Sequence, residues 1–170
     1  MRPTPEEAPG VAGGYYGDQR LFRARLTAGL EQLLAQPGVD ASRTAAMGYC
    51  FGGSGALQLA RTGADLKAVV SFHGALQAGP AGEAADIRAK VLVLTGAIDP
   101  VVPPEAVDAF ESELRMVPGL DWQVVTYSGS MHAFTEPDAH APDHGAQFNA
   151  VAEARSWQAM KSFFGEVLAA

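Results

Sequence analysis

Apolar residues recur along this chain with two different periods. From Gln19 to Gln36 they fall at Phe22, Leu26, Leu30, Leu33 and Leu34, with Arg20, Arg23, Arg25 and Glu31 between them. That spacing predicts an amphipathic helix, which Pro37-Gly38 stops. Short apolar runs then alternate with further helical stretches. The weakly apolar run Thr44-Ala45-Ala46-Met47 predicts a strand over about 43–49, and Ser54-Gly55-Ala56-Leu57-Gln58-Leu59-Ala60 a helix over about 52–62. Lys67-Ala68-Val69-Val70-Ser71-Phe72-His73 reads as a second strand closed by Gly74, followed by a loop-like stretch over 74–86 with Gly79, Pro80 and Gly82. Lys90-Val91-Leu92-Val93-Leu94-Thr95 is a continuous apolar run of the kind buried on both faces of a sheet. Gly96-Ala97-Ile98-Asp99-Pro100 is a turn, Pro103-Pro104-Glu105 opens a helix to about Met116, and Asp121 to Tyr127 is a fourth strand. A polar loop from Ser128 to about Gly145 precedes a final helix over about 147–168. Its apolar face carries Val151, Trp157, Met160, Phe163, Phe164 and Val167.

Residues 1–18, rich in Pro, Gly and acid, read as an N-terminal arm or loop, and 19–170 as a single α/β domain. Strands alternating with helices at this spacing imply a mainly parallel sheet of about four strands flanked by helices. Such sheets place ligands outside the carboxyl ends of their strands. Three chemistry-bearing residues fall there: Cys50 after the first strand, Asp99 after the third and His132 after the fourth. Glycines at 48, 52 and 53 let a strand turn sharply into a helix with Cys50 at the apex. This is the geometry of a nucleophile elbow, with sulfur where serine more often sits. The helix N-terminus at that apex favours a thiolate. Nucleophile, acid, histidine is the chain order of the α/β-hydrolase triad. In it, His132 takes the Cys50 proton and later protonates the leaving group. Asp99 fixes the imidazole tautomer, and the Phe51 backbone N–H supplies one oxyanion donor. Singly, each residue has a plainer reading: a small core thiol, a turn aspartate, a surface histidine. Taken together with the glycines and the strand ends, they favour catalysis.

Composition narrows the partners. The net charge is −7, and the 12 Lys and Arg residues form no patch, which argues against nucleic acid and anionic membrane surfaces. One Cys in the chain excludes an internal disulfide framework and agrees with a reducing compartment. Met1-Arg2-Pro3-Thr4-Pro5-Glu6-Glu7 lacks the apolar core of a signal peptide, so cytoplasm is the expectation.

Gly48-Tyr49-Cys50-Phe51-Gly52-Gly53, Thr95-Gly96-Ala97-Ile98-Asp99-Pro100 and Met131-His132-Ala133-Phe134 together resemble the dienelactone hydrolase family. The stretch from Phe148 to Trp157 looks like that family's final helix. The resemblance covers nearly the whole chain from about residue 17 and is most specific at the cysteine elbow. It implies an α/β-hydrolase fold, without a cofactor, and a Cys50-His132-Asp99 triad acting on esters or lactones.

Two departures from the family shape the expectation. Several family strands that precede the elbow, one of them tied to the second oxyanion donor, have no counterpart in residues 1–42. The fold expected is therefore a truncated α/β-hydrolase with the elbow strand at a sheet edge. An uncovered parallel edge invites pairing, so a homodimer or higher homo-oligomer is expected. Family members that cleave dienelactone also carry an arginine shortly after the histidine. Here Ala133-Phe134-Thr135-Glu136-Pro137-Asp138 follows, which points to a small neutral ester or lactone instead.

Tyr49 and Phe51 flank the thiol and, with Phe134, are expected to shape the substrate site. His73 ends the second strand, either as a pocket wall or as a core histidine bonded to backbone. Asp138, His140, Asp143 and His144 lie close together, but Pro137, Pro142 and Gly145 argue for a flexible loop rather than a metal site. Trp122, Trp157, Phe163 and Phe164 read as core aromatics. Two other functions compete: a non-catalytic or weakly active, self-associating remnant of an α/β-hydrolase, and a thiol redox sensor.

Overall fold

The computed structural model describes Thr4 and residues 7–79 and 82–169. Helices α1 (Ala8–Gly17) and α2 (Gln19–Leu34) lead into β1 (Ala45–Tyr49), which turns at Cys50 into α3 (Phe51–Ala60). Then follow β2 (Ala68–Phe72), β3 (Lys90–Gly96), α4 (Pro104–Arg115), β4 (Trp122–Tyr127) and α5 (Ala150–Ala169). The four strands pair in parallel in the order β1-β2-β3-β4, so the elbow strand stands at one edge among the described residues. A small antiparallel pair, β5 (His140–Ala141) and β6 (Ala146–Gln147), interrupts the polar loop.

The strand alternation sorts side chains onto two layers. Val69, Val91 and Val93 face the helices α3 and α4, packing with Leu57, Phe110 and Leu114. Val70, Phe72, Leu92 and Leu94 face α5, packing with Met160, Phe163 and Val167. An apolar run such as β3 is what a strand covered on both sides requires.

Three sequence expectations are corrected. Residues 1–18 are not all arm or loop, because Ala8–Gly17 is helical; Met1, Arg2, Pro3, Pro5 and Glu6 lie outside the described residues. Four glycines and a proline make this segment a poor helix by propensity. Tertiary contact holds it, since the rings of Tyr15 and Tyr16 both pack on Phe22 and Phe51. The stretch 74–86 contains a single 3-10 turn, Glu83–Asp86, with Pro80 and Ala81 outside the described residues. On α5, Val151 and Trp157 are exposed, because the buried stripe runs Ala152, Ser156, Met160, Phe163, Val167.

Candidate active site

Cys50 takes φ 49° and ψ −118°, a conformation that costs a non-glycine residue roughly 1–3 kcal/mol. Its surroundings over-determine it. The Cys50 N–H donates to the Phe72 carbonyl at 2.9 Å, and its own carbonyl accepts from the Ser54 N–H at 3.1 Å. The turn needs close backbone approach: a Cβ at Gly48 would fall inside the backbone of Gly52, and one at Gly53 would stand 2.7 Å from Ser71 Oγ. The result is an exposed thiol at the first turn of α3.

The acid and the histidine arrive on loops that pack against each other. Asp99 is buried; its Oδ1 accepts from the Val101 and Val102 N–H groups at 2.8 and 3.3 Å. That turn aims Oδ2 at His132 Nδ1, 3.0 Å away. His132 is held by backbone on both sides, its N–H donating to the Gly145 carbonyl at 3.0 Å and its carbonyl accepting from Gln147 N–H at 3.1 Å. Gly145 lies against Pro100, so tightly that a Cβ there would overlap the proline ring. His132 Nε2 then stands 3.2 Å from Cys50 Sγ. The three non-glycine residues with positive φ among those described are Cys50, His73 and Ala133, at or beside this cluster. Strain is thus concentrated where the three side chains meet.

The electrostatics follow from the contacts. The hydrogen bond from His132 holds the Cys50 thiol below its ordinary pKa against the opposing effect of burial, with help from the His132 charge and the Phe51 N–H. Burial works against a charged His132 ring, yet the Asp99 carboxylate and the Cys50 sulfur outweigh it and lift the imidazole to about 9. Both shifts favour thiolate beside imidazolium. Such a pair can attack an electrophilic carbon and then return a proton to the departing group.

A profile of the dienelactone hydrolase family matches residues 15–168. The chain belongs to that family. A crystal structure of a dienelactone hydrolase-like promiscuous phosphotriesterase from metagenomic libraries is 45% identical, with a TM-score of 0.90, and the match covers 96% of this chain and 68% of that one. An uncharacterized protein of Caenorhabditis elegans is 36% identical over 152 residues, 87% of this chain and 95% of its own. An Escherichia coli O157:H7 protein named as a carboxymethylenebutenolidase is 28% identical over 135 residues, 75% of this chain and 47% of its own. The chain therefore spans about half the length of that bacterial relative. Family membership makes the α/β-hydrolase fold and a hydrolase the frame in which the cluster is read.

Within that frame, the flanking residues divide. Phe51 lies in the aromatic cluster with Phe22, Tyr15 and Tyr16, stacking on Phe22 at 4.7 Å between centroids. Tyr49 is half-buried on the α5 face and stacks on Phe72 at 4.5 Å. His73 and Phe134 are buried to within 1% and 0% of full cover, so neither forms a solvent-facing wall. The His73 ring lies edge-on behind His132, 5.1 Å between centroids, and its Nε2 shares a 2.8 Å hydrogen bond with Thr135 Oγ1. Burial, reinforced by the nearby His132 charge, pushes His73 down to about 4.

The four polar-loop residues end on and around the β5–β6 pair. No group of three His, Cys, Asp or Glu side chains that could hold a metal occurs among the described residues. No described helix is long and apolar enough to cross a membrane. Sequence reasoning missed Tyr16, whose hydroxyl lies 3.1 Å from Ser54 Oγ at the base of the elbow helix. Nothing in its glycine-rich setting signalled a helix.

Proposed function

We propose that this chain hydrolyses small, neutral carboxylic esters or lactones with Cys50 as nucleophile. One observation carries the reading: the unbroken series Asp99 Oδ2 to His132 Nδ1 at 3.0 Å and His132 Nε2 to Cys50 Sγ at 3.2 Å. The Cys50 thiolate attacks the substrate carbonyl carbon, and the carbonyl π electrons move to oxygen. The Phe51 N–H donates to that oxyanion. Collapse of the intermediate restores the carbonyl and expels the alkoxide, which takes its proton from the His132 imidazolium. His132, neutral again, draws a proton from a water that attacks the thioester, and the acid leaves as Cys50 is released. Asp99 holds the ring in the tautomer that presents Nε2 to sulfur.

Charge supports a neutral substrate. No Lys or Arg lies between Ala133 and Asp138, just after the histidine, to receive an anionic substrate, and the chain carries a net charge of −7.

The test is turnover of p-nitrophenyl acetate by the wild type, Cys50→Ala and His132→Ala. Loss of turnover in both variants is expected; equal rates in all three would remove the triad. Two copies are further expected to pair along β1. Its Ala45, Met47 and Tyr49 backbone groups point away from β2, and a twofold axis would make them meet their own kind.

A further inference from the structure

Asn149 precedes α5 and grips the histidine loop on both sides of His132. Its Nδ2 donates to Ser130 Oγ at 3.1 Å, two residues before the histidine. Its backbone N–H donates to the Phe134 carbonyl at 3.0 Å, two residues after it. The same side chain caps the helix, Oδ1 accepting from the Val151 and Ala152 N–H groups, each at 3.1 Å. Capping alone does not call for asparagine. Serine and aspartate cap equally well, and a carboxylate would gain from the helix dipole. An amide is needed when one side chain must accept at the helix and donate elsewhere. The group that receives its second bond lies deep in the fold. Ser130 is wholly buried, and its carbonyl accepts at 3.1 Å from the N–H of Ile98, the residue before Asp99. Packing there is close, since a Cβ at Gly96 would stand 2.3 Å from the Ser130 carbonyl oxygen. The acid loop, the histidine loop and the start of α5 therefore meet at Ser130.

We propose that Asn149 and Ser130 are positioning residues for the triad, their hydrogen bond fixing the loop that carries His132 against α5 and so holding Nε2 on the Cys50 sulfur. The assignment rests on the thiol-hydrolase reading above. Neither residue touches the reacting atoms, and no proton moves through them. Their effect runs through the loop backbone. The His132 bonds to Gly145 and Gln147 stay within the polar loop. Asn149 instead ties that loop to a helix packed on the sheet through Met160, Phe163 and Val167. A site held by a rigid element keeps its geometry better than one held by loops alone. The hydrogen bond from His132 is the largest influence keeping the Cys50 thiol low. A His132 displaced from sulfur lets the thiol rise toward its ordinary value.

The experiment compares wild type, Asn149→Ser, Ser130→Ala, the double variant and Cys50→Ala. Serine at position 149 keeps the cap but is too short to reach Ser130, so it separates the two duties of the side chain. Two readouts are taken. One is kcat, per folded molecule, and KM for p-nitrophenyl acetate. The other is the ultraviolet absorbance of the Cys50 thiolate against pH, with Cys50→Ala as the blank. Each single variant should lower kcat by about tenfold, short of the ~10²-fold that a misplacement of ~1 Å can cost, with KM within about twofold. The thiolate titration should move to higher pH in both. The double variant should be no worse than either single one, because both remove the same bond. Wild-type kcat and titration in the single variants, with Cys50→Ala inactive, would overturn the assignment and leave the triad standing. A fall in kcat with an unmoved titration, or losses that multiply in the double variant, would reduce both residues to packing and remove the positioning role. Turnover undiminished in Cys50→Ala would sink the thiol reading and the assignment with it.

Discussion

β1 and β3 belong to one parallel sheet but are built on opposite terms. β3 is Lys90-Val91-Leu92-Val93-Leu94-Thr95-Gly96, buried at every position except its first. β1 is Ala45-Ala46-Met47-Gly48-Tyr49, nowhere fully buried, with Met47 exposed. By β-propensity alone, β1 is a poor strand. Its small residues serve a different demand: α3 must approach closely enough for Cys50 to stand at the turn, and a side chain at Gly48 would push it away. β3 supplies cohesion, whereas β1 gives up cohesion for the position of one sulfur atom. Residues at strand ends should therefore govern chemistry with little effect on stability, and residues inside β3 the reverse.

The largest effect that would sharpen this division is at Asp99. Asp99→Asn retains an acceptor for the Val101 and Val102 N–H groups but no longer stabilises the His132 imidazolium. Ester turnover should fall by about 10³–10⁴-fold, with the thermal midpoint changed far less. A comparable loss of folding stability would erase the distinction. Inside β3, Leu92→Ala removes a buried side chain from the α5 layer and should cost about 2–5 kcal/mol in urea unfolding. Turnover per folded molecule should be unchanged; a specific loss of kcat would show that scaffold and site are not separable.

A third test concerns His73, which belongs to both sides of the comparison. Its folded value of about 4 lies below the ordinary value near 6.5. Between these limits the unfolded chain binds a proton that the folded chain refuses, so stability is full above about 6.5 and falls as pH drops toward about 4. His132 and Cys50 are present in both proteins compared, so their own titration cancels in the difference between wild type and His73→Gln. Unfolding free energies from urea titrations at pH 7.5 and pH 5 should therefore differ by about 2 kcal/mol more in the wild type than in His73→Gln. Equal slopes would mean that His73 is protonated in the folded protein. The smallest expected effect is at the edge. Met47→Lys should leave stability within about 0.5 kcal/mol and turnover intact, while light scattering reports loss of self-association. A wild type that is already monomeric at micromolar concentration would remove the β1 pairing.

What could be read from the sequence tracks the same physics. Uniform burial leaves an unmistakable apolar run, so β3 and the turn after it that carries Asp99 were legible. The elbow was legible because its glycines are required by backbone contact, not by context. Helix α1 was not, because its order comes from Tyr15 and Tyr16 docking on Phe22 and Phe51, contacts between residues up to 36 apart in the chain. His73 could be placed at a strand end, but what covers a strand end is decided by a loop more than 50 residues later, where Thr135 meets its ring. The exposure of Trp157 was equally hidden, since helical period alone does not say which stripe of α5 meets the sheet.

The contact between Gly145 and Pro100 has a consequence for how such sequences can diverge. Gly145 has φ +76° and no room for a side chain against the proline ring. The loop carrying the acid and the loop carrying the histidine therefore cannot vary independently. A relative with any larger residue at the first position must give up proline at the second, and the two substitutions should travel together through the family as a linked pair.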